Sequence, residues 1–326
     1  MKKQKLILEN PLCPGDVLVS TCAVRDLHKA YPGEYLTDIR CPSGCEHIFF
    51  NSPYITKIED SDKEARRIRL SYEGIHKSGR SGKPFVSAHT EDLAIAIGKP
   101  IEPTSLVPDI FLTQDEILWP SPLLKEHGFT SQYWLINAGI KSDYTLKWYH
   151  RYQEVVDLLK DKITFVQVGQ LEHNHPPLKD VLDMRGKTDL RALFRLSYHA
   201  EGAICPVSLQ MVVMAAFEKP CVVISGGREP VRWQIAPNHR FLAVNGSIEC
   251  ARYDGCWKSK KSECVNLVHK FEHGPALNGV PEANAQWGKT EDVPLCMEMI
   301  RPEDIARAVE LYYIGKVLQY EKELVT

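Results

Sequence analysis

The chain has 326 residues, with 40 Lys and Arg against 42 Asp and Glu and a formal net charge of -2. At this length one core rarely suffices, so two domains are expected, and the near-neutral, interspersed charge excludes nucleic-acid or membrane-surface binding driven by bulk charge. No apolar run is long enough to span a bilayer, and Leu6-Ile7-Leu8 is too short a centre for a signal peptide, so the chain reads as cytoplasmic and its ten cysteines as reduced thiols or metal ligands rather than a disulfide framework.

In chain order, Gln4 to Glu9 reads as a first strand, and Asp16 opens a helical pattern through Val17, Leu18, Cys22, Val24 and Leu27 that Tyr31-Pro32-Gly33 stops. Strands are expected over Tyr35 to Cys41, Tyr54 to Ile58, Arg67 to Tyr72 and Ile110 to Thr113, with helices over Pro42 to Phe50 and Glu91 to Ile97. The basic loop His76 to Lys83 reads as a solvated surface loop, with contact to an acceptor as the second reading. Leu118 to Thr130, with Pro120 and Pro122, breaks the alternation and is the candidate linker. Beyond it come a strand at Tyr133 to Ala138, a helix at Leu146 to Leu159, a strand at Thr164 to Val168, a polar turn holding His173 and His175, a strand at Val181 to Met184, and a helix begun by Thr188-Asp189.

The most organised stretch is Gly202 to Trp233. An apolar run to Cys205, an apolar segment of helical length after Ser208 and a β-branched run from Cys221 to Ile224 make one βαβ unit with parallel strands buried on both faces. Ligands of such sheets sit beyond the carboxyl ends of the strands. Ser208 at the helix start and the turn Gly226-Gly227-Arg228-Glu229-Pro230 are the polar groups there; Ser208 reads either as a phosphate holder or as a plain N-cap, and the glycines either as a ligand loop or as a turn. Phe241 to Cys296 is turn-rich, and Pro302 opens a last helix from Glu303 to Tyr313.

Gly15-Asp16-Val17, Ala30-Tyr31-Pro32-Gly33, Asn51-Ser52-Pro53-Tyr54-Ile55, Lys147-Trp148, Arg185 to Arg191, Gly226 to Pro230, and Cys296-Met297 before Ile300-Arg301-Pro302-Glu303 together resemble, in order and over nearly the whole chain, glycosyltransferase family nine, the heptosyltransferase-like enzymes. The resemblance implies an α/β GT-B fold of two Rossmann-like doubly wound domains facing across a cleft. Residues 1–125 would bind the acceptor, 126–302 (with a Cys-rich segment at 247–296) the nucleotide sugar, and 303–326 would return as a helix to the first domain. It implies an inverting transferase whose donor is a nucleoside-diphosphate sugar such as ADP-heptose and whose acceptor is a hydroxyl on a glycan, a protein or a lipid-linked saccharide, the last bringing peripheral membrane contact. No cofactor is needed for that chemistry.

The site residues follow. Asp16 matches the catalytic base, its alternative being a helix cap or first-turn acid matched to the dipole. Lys147 matches the phosphate-contacting lysine, and Ser208 the phosphate-holding helix start. Gly226, Gly227, Arg228 and Glu229 face the same cleft, where an arginine pairs bidentately with phosphate and an acid accepts from sugar or ribose hydroxyls; an ion pair between neighbours Arg228 and Glu229 is geometrically poor. Family members carry an acid and a histidine in the helix opening where Val207 and Val212 stand, which keeps a catalytically silent nucleotide-sugar-binding protein as the runner-up, and a protein whose active feature is a tail metal as a third reading. Cys250, Cys256, Cys264 and Cys296 resemble the family's spaced quartet, implying a structural zinc or iron; without a Cys-x-x-Cys pair, four independent thiols remain the alternative, as they do for Cys41 with Cys45. The segment is expected to leave nucleotide affinity little changed unless it packs on the cleft.

Overall fold

The computed structural model describes residues 2–71, 73–74, 82–118, 132–269 and 292–319. Most of the basic loop at 76–83 and of the linker at 118–130 therefore lies outside the described residues. A first parallel sheet has the order β2-β1-β3, from β1 (Gln4–Glu9), β2 (Tyr35–Arg40) and β3 (Ala65–Arg69). The second, from β4 (Tyr133–Ile136), β5 (Thr164–Gln167), β6 (Leu182–Asp183), β7 (Gly202–Pro206), β8 (Cys221–Gly226) and β9 (His239–Ala243), is parallel throughout with the order β6-β5-β4-β7-β8-β9. That is the doubly wound order in which the chain reverses direction between β4 and β7, and the crevice at this switch point is where such sheets bind ligands.

The sequence explains why. β7 and β8 are buried at every residue, as unbroken apolar runs require. Helix α1 (Pro14–Ala30) starts with Pro at its first turn, where a missing N–H costs nothing, and buries Val17 to Leu27. After α2 (Ala88–Ile97), α3 (Gln114–Leu118) and α4 (Tyr152–Leu159), α5 (Leu190–His199) is capped by Asp189, whose side chain accepts from Ala192 N–H at 2.7 Å. Helix α6 (Leu209–Ala216) lies between β7 and β8 in the chain and packs against α1, so one apolar cluster runs from Leu6, Leu18 and Leu27 to Met211, Val213 and Cys205. Each fully buried Val, Leu or Met in it contributes about 1.5 to 3 kcal/mol. After the short α7 (Leu295–Glu298), α8 (Pro302–Ile314) packs on the six-stranded sheet beside α4: Tyr313 Oη accepts from Trp134 Nε1 at 2.8 Å, and Tyr312 Oη donates to Asn238 O at 2.5 Å. The described part of the last helix thus stays on the second sheet, where a return to the first was expected; residues 320–326 lie outside the described residues.

Several elements differ from expectation for local reasons. Tyr54 to Ile58 makes a single bridge, Thr37 with Ile55, because Ile58 N–H is taken by the Asp38 carboxylate at 2.8 Å and Tyr54 O by the Thr37 hydroxyl at 2.6 Å. Ile110 to Thr113 forms no strand; Phe111 O accepts from Arg191 at 3.1 Å and Asn51 at 3.4 Å. Pro42 to Phe50 contains only a 3-10 turn, Cys45–Phe49. The helix expected from Leu146 begins at Tyr152, after a 3-10 turn at Thr145–Lys147, because Leu146 N–H donates outward to Ser259 O at 3.1 Å and Trp148 is extended. Among the described residues no helix is long and apolar enough to cross a membrane.

Candidate functional site

The N-termini of α1 and α6 meet at the switch point. A Cβ built on Gly15 would stand 3.5 Å from Leu209 Cα, so the first turn of α1 lies against the first turn of α6. Cys13, not Asp16, is the N-cap of α1; Asp16 lies within the first turn, half-buried, and His89 of α2 steadies that turn by donating from Nε2 to Asp16 O at 3.2 Å. Burial raises the Asp16 carboxyl to about 6, against the pull of Lys147, Lys141 and a backbone hydrogen bond at Cys13. A carboxyl held near 6 accepts a proton at neutral pH far better than an ordinary aspartate.

Opposite it, Lys147 closes the 3-10 turn. Its Nζ donates to Val207 O at 3.4 Å and pairs with Glu229 Oε1 at 2.9 Å. Burial and the neighbouring Arg228 push the ammonium down to about 7, with Asp16 opposing. The same Glu229 Oε1 accepts from Arg228 Nη1. The neighbour pair set aside as geometrically poor is therefore formed, because 227–230 is a turn, where successive side chains are not held to opposite faces as they are in a strand. Tyr144 lies beside both cations, its ring centre 5.3 Å from Lys147 Nζ and 5.1 Å from Arg228 Cζ.

Two oxygens here are buried without a hydrogen-bond partner: Ser208 Oγ and Glu229 Oε2. Ser208 is the N-cap of α6 by backbone position, yet its hydroxyl caps nothing. Two unpaired oxygens flanking a buried ammonium at a helix N-terminus suit a polar ligand.

The structure thus brings Asp16, Lys147, Ser208, Arg228 and Glu229 together at the switch point. Gly226 and Gly227 turn the other way. Gly226 has φ +61, and a Cβ on it would stand 3.0 Å from Met297 Sδ; a Cβ on Gly227 would stand 3.0 Å from Ala251 Cβ. Gly226 makes room for Met297 of α7, and Gly227 for Ala251 of the Cys-rich segment. That segment packs on the turn: Cys256 N–H and Trp257 N–H donate to Gly227 O and Arg228 O, each at 3.1 Å. Its Lys258 O accepts from Arg228 Nε at 2.5 Å and its Ser259 Oγ from Arg228 Nη2 at 3.4 Å. The segment therefore meets the condition under which it was expected to affect nucleotide affinity, packing on the turn that carries Arg228 and Glu229.

All ten cysteines are free thiols, and Cys250, Cys256, Cys264 and Cys296 line one cavity of about 20 Å³, whose wall also includes Leu146, Gly227, Arg228 and Asn266. That is room for one water-sized guest. Four sulfur donors suit zinc or iron chemically. In their present positions they do not close on a centre: Asn266 Nδ2 donates to Cys250 Sγ at 3.3 Å, Cys264 Sγ donates to Asn266 O at 3.4 Å, and among the described residues no group of three or more His, Cys, Asp or Glu stands ready to hold a metal. His175 is buried against Gly139 and Gly169, its ring pushed down to about 3 by burial, so it is a packing residue rather than part of an open polar turn.

Sequence reasoning missed Tyr144, Lys141, Ser259 and Asn266. Tyr144, three residues before Lys147, carried the only local signal, since an aromatic at that spacing can stack on the lysine; the tail residues carried none.

No family model matches the sequence, and no curated relative matches it. Solved structures do. One is a glycosyl transferase family 9 protein from Veillonella parvula, 15% identical, with 78% of this chain and 92% of that one covered and a TM-score of 0.58. Another is the E. coli ADP-heptose LPS heptosyltransferase II, 13% identical, covering 96% and 100% at TM-score 0.58. A third is the iron-containing dodecameric glycosyltransferase TibC from enterotoxigenic E. coli, 15% identical, covering 97% and 77% at TM-score 0.66; it is also known in complex with ADP-D-β-D-heptose. At these identities the likeness is one of fold: the chain has the two-domain Rossmann-like GT-B architecture of those proteins.

Proposed function

We propose that the protein is an inverting glycosyltransferase that moves a sugar, a heptose or a close relative, from a nucleoside diphosphate to an acceptor hydroxyl. The observation that carries this is the crevice at the switch point, with a carboxyl near 6 on one wall and a buried ammonium, a helix N-terminus and two orphaned oxygens on the other. The fold shared with heptosyltransferases, one of them holding an ADP-heptose, supports the same reading.

In this reading the N-terminal half holds the acceptor and the C-terminal half the donor. Asp16 takes the proton of the acceptor hydroxyl as its oxygen attacks the anomeric carbon from the face opposite the diphosphate. The bond from that carbon to the phosphate oxygen breaks, and the electron pair stays on the departing diphosphate. Lys147 and the N–H groups at the start of α6, with Ser208, receive the negative charge. Glu229 Oε2 accepts from a hydroxyl of the sugar or ribose. Arg228, whose Nε, Nη1 and Nη2 all meet protein acceptors, holds Glu229 in place and adds positive field. Val207 and Val212 leave this donor pocket without the acid and histidine of the resembling family, so hydroxyl recognition falls to Glu229.

The reading is tested by incubating the protein with a panel of nucleoside-diphosphate sugars and following release of the diphosphate with and without added glycan acceptors. Release from one sugar class, accelerated by acceptor, is expected; binding without turnover would favour the silent sugar-nucleotide-binding protein instead.

The pH profile follows from the site. Transfer should fall as pH drops through about 6, where Asp16 takes up a proton, and donor affinity should weaken above about 7, where Lys147 loses one. Stability runs the other way for Asp16: a carboxyl raised from 3.8 to about 6 favours the fold below its unfolded value and loses that contribution as pH rises through 6. Rate and ligand affinity measured from pH 5 to 9 check both limbs.

The four tail thiols would hold one structural zinc or iron, stapling the Cys-rich segment. Purified protein is expected to carry about one equivalent of metal, and a strong chelator to make the segment protease-sensitive. Because the segment packs on Arg228, chelation should also lower nucleotide affinity. Metal-free protein with a protease-resistant tail leaves four ordinary thiols.

A further inference from the structure

The Cys-rich segment touches both loops that carry the crevice's positive charge, and one of its residues, Ser259, reaches both. Ser259 O accepts from Leu146 N–H at 3.1 Å, next to Lys147, while Ser259 Oγ accepts from Arg228 Nη2 at 3.4 Å. Around it, Lys258 O holds Arg228 Nε and Lys261 N–H donates to Thr145 Oγ1 at 2.9 Å. The loop is itself anchored: Glu263 Oε2 accepts from Ser259 N–H at 2.8 Å and from Lys260 N–H at 2.9 Å, and Lys258 Nζ donates to Glu263 O at 2.6 Å. The segment enters under tight contact, for Gly255 has φ +85 and a Cβ there would stand 2.3 Å from Arg228 O, so only glycine fits.

We infer that residues 255–263 form a strap in which Ser259, anchored by Glu263, is a positioning residue setting the distance between Lys147 and Arg228 for a diphosphate. The inference rests on the proposed donor site. Two buried cations held near one another repel, and burial has already weakened the hold of one on its proton; neither can fix the other. The structure supplies three restraints: the shared Glu229 oxygen, the Tyr144 ring beside both cations, and the strap. Of these the strap is the one that reaches both the Lys147 turn and Arg228 from outside the two loops. The crevice residues lie on helix starts and turns, and the strap ties the Lys147 turn to Arg228 beside them.

Because Ser259 and Glu263 lie outside the crevice and Glu263 is exposed, their replacement leaves the core intact. Titration calorimetry with ADP on the full chain provides the test, with Ser259→Ala, Glu263→Ala, Ser259→Thr and Glu263→Gln. The two Ala variants should bind ADP about three- to tenfold more weakly, as expected for a lost hydrogen bond relayed to the ligand, with unfolding midpoints close to wild type. Ser259→Thr keeps the hydroxyl and Glu263→Gln keeps an acceptor oxygen, so both should bind as wild type does; a merely structural role would not separate the variants by hydrogen-bonding group in this way. Wild-type protein that binds ADP together with Ala variants of unchanged affinity overturns the strap alone. Wild-type protein that binds no nucleoside diphosphate overturns the donor site and the strap with it.

Discussion

Asp16→Asn is expected to lower sugar transfer by about 10² to 10⁴-fold while leaving nucleotide affinity nearly unchanged, since the amide cannot take the acceptor proton and the residue belongs to the acceptor wall. The variant should be at least as stable as wild type at pH 7, because a carboxyl raised to about 6 is ionised there at a cost to the fold that the neutral amide does not incur. Loss of activity together with retained or increased stability separates a catalytic base from a first-turn acid matched to the helix dipole, whose removal would lower stability and leave transfer intact. Single-turnover rates and thermal unfolding of the same preparation read both quantities. A variant that turns over at the wild-type rate leaves Asp16 as a helix residue only.

Lys147→Ala should act on the other wall. One charge-assisted hydrogen bond to phosphate contributes about 1.5 to 3 kcal/mol, which corresponds to roughly a tenfold to hundredfold loss of nucleoside-diphosphate affinity. The loss should be smaller for a nucleoside without phosphates. Glu229 keeps Arg228 as partner in this variant, so the buried carboxylate is not stranded and the protein should still fold. Calorimetry with ADP against adenosine checks the contrast; equal losses for both ligands would mean a general disturbance of the crevice rather than a lost phosphate contact.

Local pattern carried much of this. The unit from Gly202 to Trp233 was readable because parallel strands buried on both faces must be apolar without interruption, and β7 and β8 are buried at every position. Asp189 was readable as a helix start because its side chain satisfies a backbone donor three residues on. What pattern could not supply were contacts that join distant parts of the chain. The Leu146 N–H that would begin a helix is drawn to Ser259, 113 residues later in the chain, and no window around Leu146 contains that fact. A glycine pair after a strand serves ligand approach and chain approach alike, so Gly226 and Gly227 read either way from sequence, and it is the nearness of Met297 and Ala251 that shows the chain approach. The Arg228 and Glu229 pair was set aside by a rule for regular structure that a turn does not obey. In the candidate site, the residue types of Asp16, Lys147 and Ser208 were legible from the resemblance, whereas the tail's part in holding Arg228 was not.

The central claim is that the switch-point crevice between α1 and α6 receives a nucleoside diphosphate. A crystal structure of the protein with ADP bound tests it most directly. A diphosphate is expected within hydrogen-bonding distance of Lys147 Nζ, Ser208 Oγ and the first N–H groups of α6, facing Asp16 across the crevice. A diphosphate bound away from Lys147 and Ser208 would contradict it.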